Sequence, residues 1–241
     1  MTGKCELAGQ IALVSGGSGA IGRAIIEGLA RAGALAVSLD LVDPGGIVPW
    51  VRCDIRDDES VAAAVESVFK KHRRLDIVVH AAGVSKDAVI WKMPVEGWDF
   101  IQAVNLRGAF LLLRHAIPKL RPGPGGRIVL VGSINGSRGK FGTAAYSASK
   151  AGLVGLAKSV AREVARFGIL INVVEPGWVR TPMTEAVPLD VRKAALAESL
   201  TGKFLEPSDI ANSIVFLCGP GGSQITGQIL RVDGGQYLGG M

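Results

Sequence analysis

The feature that most constrains the fold is a regular alternation of short apolar segments with longer amphipathic ones. Buried strands are predicted at 11–15, 34–40, 50–54, 75–83, 126–133, 169–177 and 227–235. Amphipathic helices are predicted at 20–33, 57–72, 96–120, 144–168 and 207–219. Because strands alternate with helices along the whole chain, we predict an α/β fold with a parallel, doubly wound sheet and right-handed crossovers.

Length and composition are those of one large domain. The chain has 241 residues, of which 48% are hydrophobic, and we expect a single domain over 1–241. No apolar run reaches the roughly 18 residues needed to cross a bilayer, and the N-terminus lacks the order of a secretory signal. Cys5, Cys53 and Cys218 are odd in number and in no metal-ligand spacing, so no metal site is expected. We expect a soluble, reduced, cytoplasmic protein.

The net charge of +6 raises the question of an anionic partner. The densest basic run, "KKHRR" at 70–74, ends a predicted helix, where cations complement the helix dipole. No aromatic residues are interleaved with it, and no nucleic-acid motif accompanies it. We therefore expect neither nucleic acid nor membrane as a partner, and the charge is expected to attract an anionic cofactor or substrate.

A glycine-rich turn, "SGGSGAIG" at 15–22, joins the first predicted strand directly to the first predicted helix. In such a turn, backbone amides can approach a pyrophosphate at the positive end of the helix. An acidic residue, Asp40, ends the second predicted strand roughly 20 residues further on, where dinucleotide-binding proteins hold the adenosine ribose. This context predicts a Rossmann-type dinucleotide site, with turn contacts from Gly16, Ser18, Ala20, Ile21 and Gly22.

Asp40 also predicts which dinucleotide is bound. A carboxylate at this position can accept hydrogen bonds from both hydroxyls of the adenosine ribose, and it repels a 2′-phosphate. Leu41 and Val42 follow it, so no arginine is available there for that phosphate, and the glycine turn contains no basic residue. We predict NAD(H) rather than NADP(H), with Leu41 also beside the cofactor.

The stretch "TAAYSASKAG" places Tyr146 and Lys150 four residues apart in a predicted helix, so both can point to one place. A phenol can transfer a proton to a carbonyl oxygen if its pKa falls from the usual ~10, and a nearby ammonium lowers it. Ser133, at the end of the fifth predicted strand, can polarise the carbonyl. The three residues predict ketone–alcohol chemistry, whereas the Tyr–Lys pair alone would better fit a partly exposed pair on a helix.

Five ordered motifs resemble the short-chain dehydrogenase/reductase family over nearly the whole chain. They are "SGGSGAIG", "HAAG" at 80–83, "YSASK" at 146–150, "PGWVRTPMT" at 176–184 and "ITGQILRVDGG" at 225–235. Within the family, the segments 85–110 and 177–211 are similar to 3-oxoacyl-(acyl-carrier-protein) reductases and acetoacetyl-CoA reductases. The resemblance implies an oxidoreductase acting on CH–OH groups, with fatty acid metabolism as its setting.

The resemblance implies roles for further residues and an assembly. It implies that Asn105 holds a water that connects Lys150 to solvent, and that Lys150 also holds the nicotinamide ribose. It implies a homotetramer. The remaining cofactor contacts that it implies are Asp54, Ile55, Ala81, Ala82, Gly83, Pro176, Gly177, Val179 and Thr181.

Three departures from the family pattern bear on function. His80 stands where the family usually has asparagine, and a structural hydrogen-bonding role is expected for it. The segment between Asp40 and Asp54 is too short for a crossover helix with its turns. Phe167 stands where reductases for carrier-protein substrates often have a basic residue, and Pro124 interrupts the basic stretch before the fifth strand. These last two changes favour CoA thioesters or small free substrates.

The substrate pocket is expected under a loop at 183–204 that folds over the substrate, with Trp91 and Trp178 either in the pocket wall or in the core. Two enzymatic functions remain open, namely reduction of a 3-oxoacyl thioester and oxidation of a secondary alcohol, small or cyclic, or of a hydroxyacyl-CoA. A third possibility, from another class, is a dinucleotide-binding scaffold without turnover. The presence of Ser133, Tyr146 and Lys150 argues against the scaffold.

Overall fold

The computed structural model describes residues 6–46, 48–120, 125–185 and 187–239, so the sequence-based interpretations of Cys5 and Pro124 lie outside the described residues. The described residues form a seven-stranded parallel sheet, which confirms the predicted α/β class. Its strands are Ile11–Ser15 (β1), Leu35–Asp40 (β2), Trp50–Arg52 (β3), Ile77–His80 (β4), Arg127–Val131 (β5), Leu170–Pro176 (β6) and Ile229–Val232 (β7).

The α-helices of the described residues flank this sheet. They are Ala20–Arg31 (α1), Asp58–His72 (α2), Val95–Gln102 (α3), Gly108–Ala116 (α4), Ile134–Arg138 (α5), Ala144–Val164 (α6), Pro182–Glu185 (α7), Leu189–Ala197 (α8) and Pro207–Cys218 (α9). The strand order is β3-β2-β1-β4-β5-β6-β7, so the winding direction reverses between β1 and β4. In open parallel sheets, ligands bind beyond the carboxyl ends of the strands at this reversal.

The central strands are largely apolar because both faces of the sheet are covered. All five residues of β1 are buried. Leu13 packs in the cluster on the side of α2, α4 and α6, whereas its neighbour Val14 packs in the cluster on the side of α1 and α9. Successive strand residues point to opposite faces, which explains why a continuous apolar run, rather than an alternating one, encodes each strand.

The connection between β2 and β3 contains no helix among its described residues 41–46 and 48–49, as its length predicts. The end of β2 is instead tied to β3 by the indole of Trp50, which donates a hydrogen bond to the Asp40 carbonyl at 3.0 Å. The adenosine side of the predicted cofactor site is therefore bordered by a loop on this edge.

The helix predicted at 96–120 is present and runs without a break from Val95 to Lys119, but its hydrogen-bonding pattern changes along its length. A π-helical turn at Ala103–Arg107 separates α3 from α4, with the Gly108 N–H donating to the Ala103 carbonyl five residues back. Gly108 lies against Ile55, where an added Cβ would be 2.8 Å from a side-chain carbon. Such turns are rare and occur often at functional sites.

The segment 183–204, which we expected to cover the substrate as a loop, contains most of α7 and all of α8.

Within the part of the chain that the structure describes, no helix combines the length and apolarity required to span a bilayer.

The glycine turn yields a prediction about stability. An added Cβ at Gly22 would collide with the backbone carbonyl of Gly16, whereas at Gly19 it would make ordinary contact at 3.4 Å. Because backbone cannot yield as a flexible side chain does, we expect Gly22→Ala to lower the free energy of unfolding by about 1–3 kcal/mol. Gly19→Ala, the matched control in the same turn, is expected to cost only about 0.5 kcal/mol. Urea denaturation measures both, and equal losses would contradict the steric argument.

Candidate active site

The glycine turn lies at the carboxyl ends of β1 and β4. Gly16 has a φ of +73°, and an added Cβ would lie 2.6 Å from the Cα of Ala82. The Gly16 N–H donates to the Leu39 carbonyl at 2.9 Å, and the Gly19 N–H donates to the Gly16 carbonyl at 3.1 Å. The turn is thus packed tightly against the sheet immediately before α1 begins at Ala20.

Asp40 is fixed in orientation by backbone donors. Its carboxylate accepts hydrogen bonds from the N–H of Ser18 at 3.0 Å and from the N–H of Val42 at 3.2 Å. It borders a cavity of about 410 Å³ beyond the ends of β1, β2 and β4. The predicted site residues that line this cavity are Gly16, Asp40, Leu41, Asp54, Ile55, Ala81, Ala82 and Gly83.

Arg56 also lines this cavity and was not predicted from the sequence. Its guanidinium holds Asp54 through two hydrogen bonds, at 2.9 Å and 2.6 Å, and lies over the ring of Phe100 at 5.4 Å from the centroid. The hydrogen bond from Arg56 lowers the pKa of Asp54 below its usual value. Nothing in the sequence distinguished Arg56 from a solvated surface cation.

A second cavity, of about 160 Å³, adjoins the first and shares Ala81, Gly83 and Val84 with it. Met183 and Thr184, the first residues of the segment expected to cover the substrate, belong to its lining. Its remaining lining includes the predicted residues Ile21, Ser133, Tyr146, Lys150, Pro176, Gly177, Val179 and Thr181. Residues up to 163 positions apart in sequence, Ile21 and Thr184, therefore meet at one end of the sheet.

Tyr146 and Lys150 lie one turn apart on α6, as their spacing predicts. The Lys150 ammonium is 5.7 Å from the centre of the Tyr146 ring and donates to the Val131 carbonyl at 2.8 Å. Burial lowers the pKa of Lys150 to about 8. Burial also raises the pKa of the Tyr146 phenol above its usual value, with the Ser133 hydroxyl acting in the opposite direction, so the lowered pKa expected beside Lys150 was wrong for this structure. At neutral pH the site therefore holds a neutral phenol beside an ammonium.

Ser133 is held where β5 passes into α5. Its hydroxyl caps the helix by accepting from the Asn135 N–H at 3.2 Å. The preceding residue, Gly132, continues the pairing with β6 by donating to the Val174 carbonyl at 2.7 Å. The Ser133 hydroxyl therefore occupies a rigid position that opens onto the smaller cavity.

Asn105 and His80 form a buried layer behind the cavities. The Asn105 side chain accepts from the Val84 N–H at 2.8 Å and donates to the Val84 carbonyl at 3.0 Å and to Ser149 Oγ at 3.0 Å. The His80 ring joins Ser15 Oγ at 2.9 Å to the Asn105 carbonyl at 3.2 Å. Burial, with the charge of Lys150, lowers the pKa of His80 to about 3. The ring is therefore neutral, and it makes the structural hydrogen bonds expected of it.

Four of the predicted site residues, Ser18, Ala20, Gly22 and Asn105, line neither cavity. Ser18 acts on the cavity through its N–H to Asp40, and Gly22 lies directly behind Gly16.

The two tryptophans assigned to the pocket wall or the core lie outside both cavities. Trp91 is 77% exposed, so the core alternative was wrong for it. Trp178 stacks on Phe204 with ring centroids 5.7 Å apart.

The arrangement fits an extended dinucleotide. An added Cβ at Gly83, between the two cavities, would lie 3.2 Å from the Lys150 ammonium, a tight contact that the lysine side chain would have to relieve by a small shift. The larger cavity presents the Asp40 carboxylate and the glycine turn, and the smaller one presents Ser133, Tyr146 and Lys150. A ligand held beside Asp40 in the larger cavity can therefore extend into the smaller cavity, where Ser133, Tyr146 and Lys150 lie.

Known proteins resemble this chain over nearly its whole length. A family profile described as "Enoyl-(Acyl carrier protein) reductase" matches residues 17–236. The 3-oxoacyl-[acyl-carrier-protein] reductase FabG of Thermotoga maritima is 35% identical over 246 residues, covering 97% of this chain and 100% of the relative. The reductase of the same name from Escherichia coli K12 is 36% identical, covering 95% of this chain and 98% of the relative.

Solved structures agree with the sequence relatives. A dehydrogenase/reductase from Sinorhizobium meliloti 1021 superposes with a TM-score of 0.90 at 36% identity, covering 97% of each chain. The ligand-free aldohexose dehydrogenase of Thermoplasma acidophilum superposes with a TM-score of 0.91 at 28% identity, covering 98% of this chain and 97% of the other. The chain therefore belongs to the short-chain dehydrogenase/reductase family of oxidoreductases, whose members use nicotinamide dinucleotide cofactors.

Proposed function

We propose that the protein is an NAD(H)-dependent oxidoreductase that interconverts 3-oxoacyl and 3-hydroxyacyl thioesters, with Tyr146 as the acid/base. The observation that carries this proposal is the convergence of Ser133, Tyr146 and Lys150 on a cavity that adjoins the Asp40 cavity. The thioester is supported by the relatives named 3-oxoacyl-[acyl-carrier-protein] reductase at 35–36% identity.

The proposed chemistry divides between the cofactor and three side chains. When bound, the reduced nicotinamide supplies the hydride that the carbonyl carbon accepts. The Ser133 hydroxyl donates a hydrogen bond to the carbonyl oxygen and stabilises the charge that develops on it. The Tyr146 phenol transfers its proton to that oxygen, and in the oxidative direction the phenolate takes the proton back.

Lys150 is proposed to favour the phenolate that Tyr146 becomes after proton transfer, since an adjacent ammonium stabilises the charged form. An ammonium has three donors, and the Val131 carbonyl takes one of them. The other two leave Lys150 able to hold the nicotinamide ribose. Asn105 is proposed to hold a water that returns protons to the lysine, in keeping with its buried place on the π-helical turn.

The remaining predicted residues are proposed to bind the cofactor. The glycine turn, with Gly16, Ser18, Ala20, Ile21 and Gly22, would hold the pyrophosphate at the start of α1. Asp40 and Leu41 would hold the adenosine ribose. The other contacts are proposed at Asp54, Ile55, Ala81, Ala82, Gly83, Pro176, Gly177, Val179 and Thr181.

The proposed preference for NAD(H) is supported by the hydrogen bonds that the charged side chains near the adenosine end of the site already make. The Asp40 carboxylate is already held by two backbone N–H groups, and a 2′-phosphate beside it would be repelled. Arg56, which lines the same cavity, has its guanidinium engaged with Asp54. Arg23, close to the turn, donates to the Ser18 carbonyl at 3.2 Å and lines neither cavity.

A second candidate function is oxidation of a small or cyclic secondary alcohol, or of a hydroxyacyl-CoA. It is favoured by the likeness to an aldohexose dehydrogenase and by Phe167, which stands where carrier-protein reductases often have a cation. Arg166 lies over the Phe167 ring, 4.7 Å from its centroid, so a cation is adjacent to that position. A homotetramer is part of either proposal, and light scattering that gives the mass of a monomer would contradict it.

Steady-state assays distinguish these candidates. Acetoacetyl-CoA with NADH tests the thioester reductase, and a panel of secondary alcohols, including hydroxyacyl-CoA, with NAD tests the alternative. We expect the higher kcat/KM with acetoacetyl-CoA. Faster turnover of an alcohol would favour the second candidate. Tight NADH binding without turnover of any of these substrates would instead support a dinucleotide-binding scaffold without catalytic activity.

Replacing Tyr146 tests the proposed acid/base. Tyr146→Phe removes the proton donor without changing the ring, so turnover is expected to fall by about 10²–10⁴-fold while NADH binding changes less than twofold. The second tyrosine, Tyr237, stacks against Arg231 and lines neither cavity, so Tyr237→Phe is the matched control with near-normal turnover. Comparable turnover in the two variants would refute the assignment.

Replacing Asp40 tests the cofactor preference. The wild-type protein is expected to prefer NADH over NADPH by at least tenfold in kcat/KM. Asp40→Asn keeps an oxygen acceptor for the backbone donors but removes the charge, so the preference should narrow several-fold, chiefly through a lower KM for NADPH. A tenfold preference of the wild-type protein for NADPH would contradict the prediction.

A further inference from the structure

A buried carboxamide near the C-terminus joins two segments beside the smaller cavity. Gln236 is 2% exposed, and its side-chain oxygen accepts from the Trp178 N–H at 2.8 Å. Its side-chain nitrogen donates to Glu198 Oε2 at 3.0 Å and faces the Ala195 carbonyl at 3.4 Å. One side chain therefore connects the residue after Gly177 to the end of α8.

Arg138 connects a third segment to the same group. It is the last residue of α5, the helix that Ser133 caps. Its guanidinium donates to Glu198 Oε2 at 2.8 Å and to the Gln236 carbonyl at 3.1 Å. A single carboxylate oxygen of Glu198 thus accepts from both Arg138 and Gln236.

The backbone around these side chains is closely packed. The Thr201 N–H donates to the Gly234 carbonyl at 3.1 Å. An added Cβ at Gly235 would lie 2.7 Å from the side chain of Leu200. The turn before Gln236 therefore lies directly on the segment 198–201, which follows α8.

We propose that Arg138, Glu198 and Gln236 form a polar latch that holds the segment 189–201 against the Ser133 helix and against Trp178, and so sets the width of the substrate cleft. This inference rests on the proposed function, because it assigns positioning roles around the proposed reaction site. None of the three residues, and no residue of 189–201, lines either cavity. The latch therefore acts on the cleft through Gly177, which precedes Trp178 and lines the smaller cavity, and through Ser133, which caps the helix that ends at Arg138.

The charges indicate that the latch positions α8 more than it stabilises the whole fold. The Glu198 carboxylate is 39% exposed, and half-exposed ion pairs add little to global stability. Gln236, in contrast, is buried with partners on both side-chain atoms, so its removal leaves the Trp178 N–H without its acceptor. Loss of the latch should therefore loosen 189–201 and the backbone at Trp178 before it affects the sheet.

Hydrogen exchange provides a test that does not depend on turnover. Gln236→Met keeps the side-chain volume but removes every hydrogen bond of the carboxamide, and Glu198→Gln removes only the charge. In Gln236→Met, we expect exchange at least tenfold faster at Trp178 and over 195–201, with unchanged exchange in α9. Glu66→Gln is the matched control, because Glu66 is also 39% exposed and ion-paired, to Lys119 at 2.7 Å, but lies on α2.

Kinetics provide the second readout. The KM for the ketone should rise about fivefold or more in Gln236→Met and less in Glu198→Gln, while kcat changes less than twofold and the Kd for NADH rises less than the KM for the ketone. Glu66→Gln should match the wild-type protein in all three quantities.

The latch would be overturned by unchanged exchange and unchanged KM in both latch variants. It would also be overturned if exchange accelerated equally in α9, since that pattern means general destabilisation. If Gln236→Met does not fold, Glu198→Gln is judged by the same two readouts. Failure of the proposed function would appear instead as an absence of turnover in the wild-type protein, with the exchange result unaffected.

Discussion

The close packing of the Gly16 turn against the end of β4 is the contact on which the rest of the site depends. Gly16 can approach Ala82 only because it lacks a Cβ and has a positive φ. That approach brings the start of α1 to the point where the sheet reverses its winding, with one cavity on the β2 side and another toward β5 and β6. Because both cavities open from the same edge, a ligand bound at Asp40 can extend to the side chains carried by β5 and α6.

Most of the sheet could be predicted from the sequence because its signals are local. β1 was predicted at its observed bounds, since a run of five apolar or small residues followed by glycines has few alternatives. The π-helical turn was not predicted, because the apolar pattern continues through it without a break. It depends instead on contacts with distant residues, namely Ile55 beside Gly108 and the His80 ring at the Asn105 carbonyl.

The site shows the same difference between residues with a local sequence signal and residues that depend on distant contacts. The residues that line the cavities lie in short motifs whose spacing carries the signal, as with Tyr146 and Lys150 on one helix face. Arg138 and Gln236 are 98 positions apart in the chain and meet only when β6 and β7 bring the C-terminal turn beside α5. No periodicity marks a polar residue whose partners come from elsewhere in the fold, and Trp91 shows the converse error, because a large aromatic residue is not thereby buried.

The residues proposed for proton transfer are held by the sheet and by α6, whereas the segment proposed to set substrate selectivity is not. Ser133 and Lys150 are held by β5 and by the long helix α6, so the distances around Tyr146 are set by the sheet whatever the substrate. The segment 189–201 lies off the sheet and is held by polar contacts to α5 and to the C-terminal turn. In the proposed function, changes in that segment would alter which carbonyl is accepted and would leave proton transfer at Tyr146 unchanged.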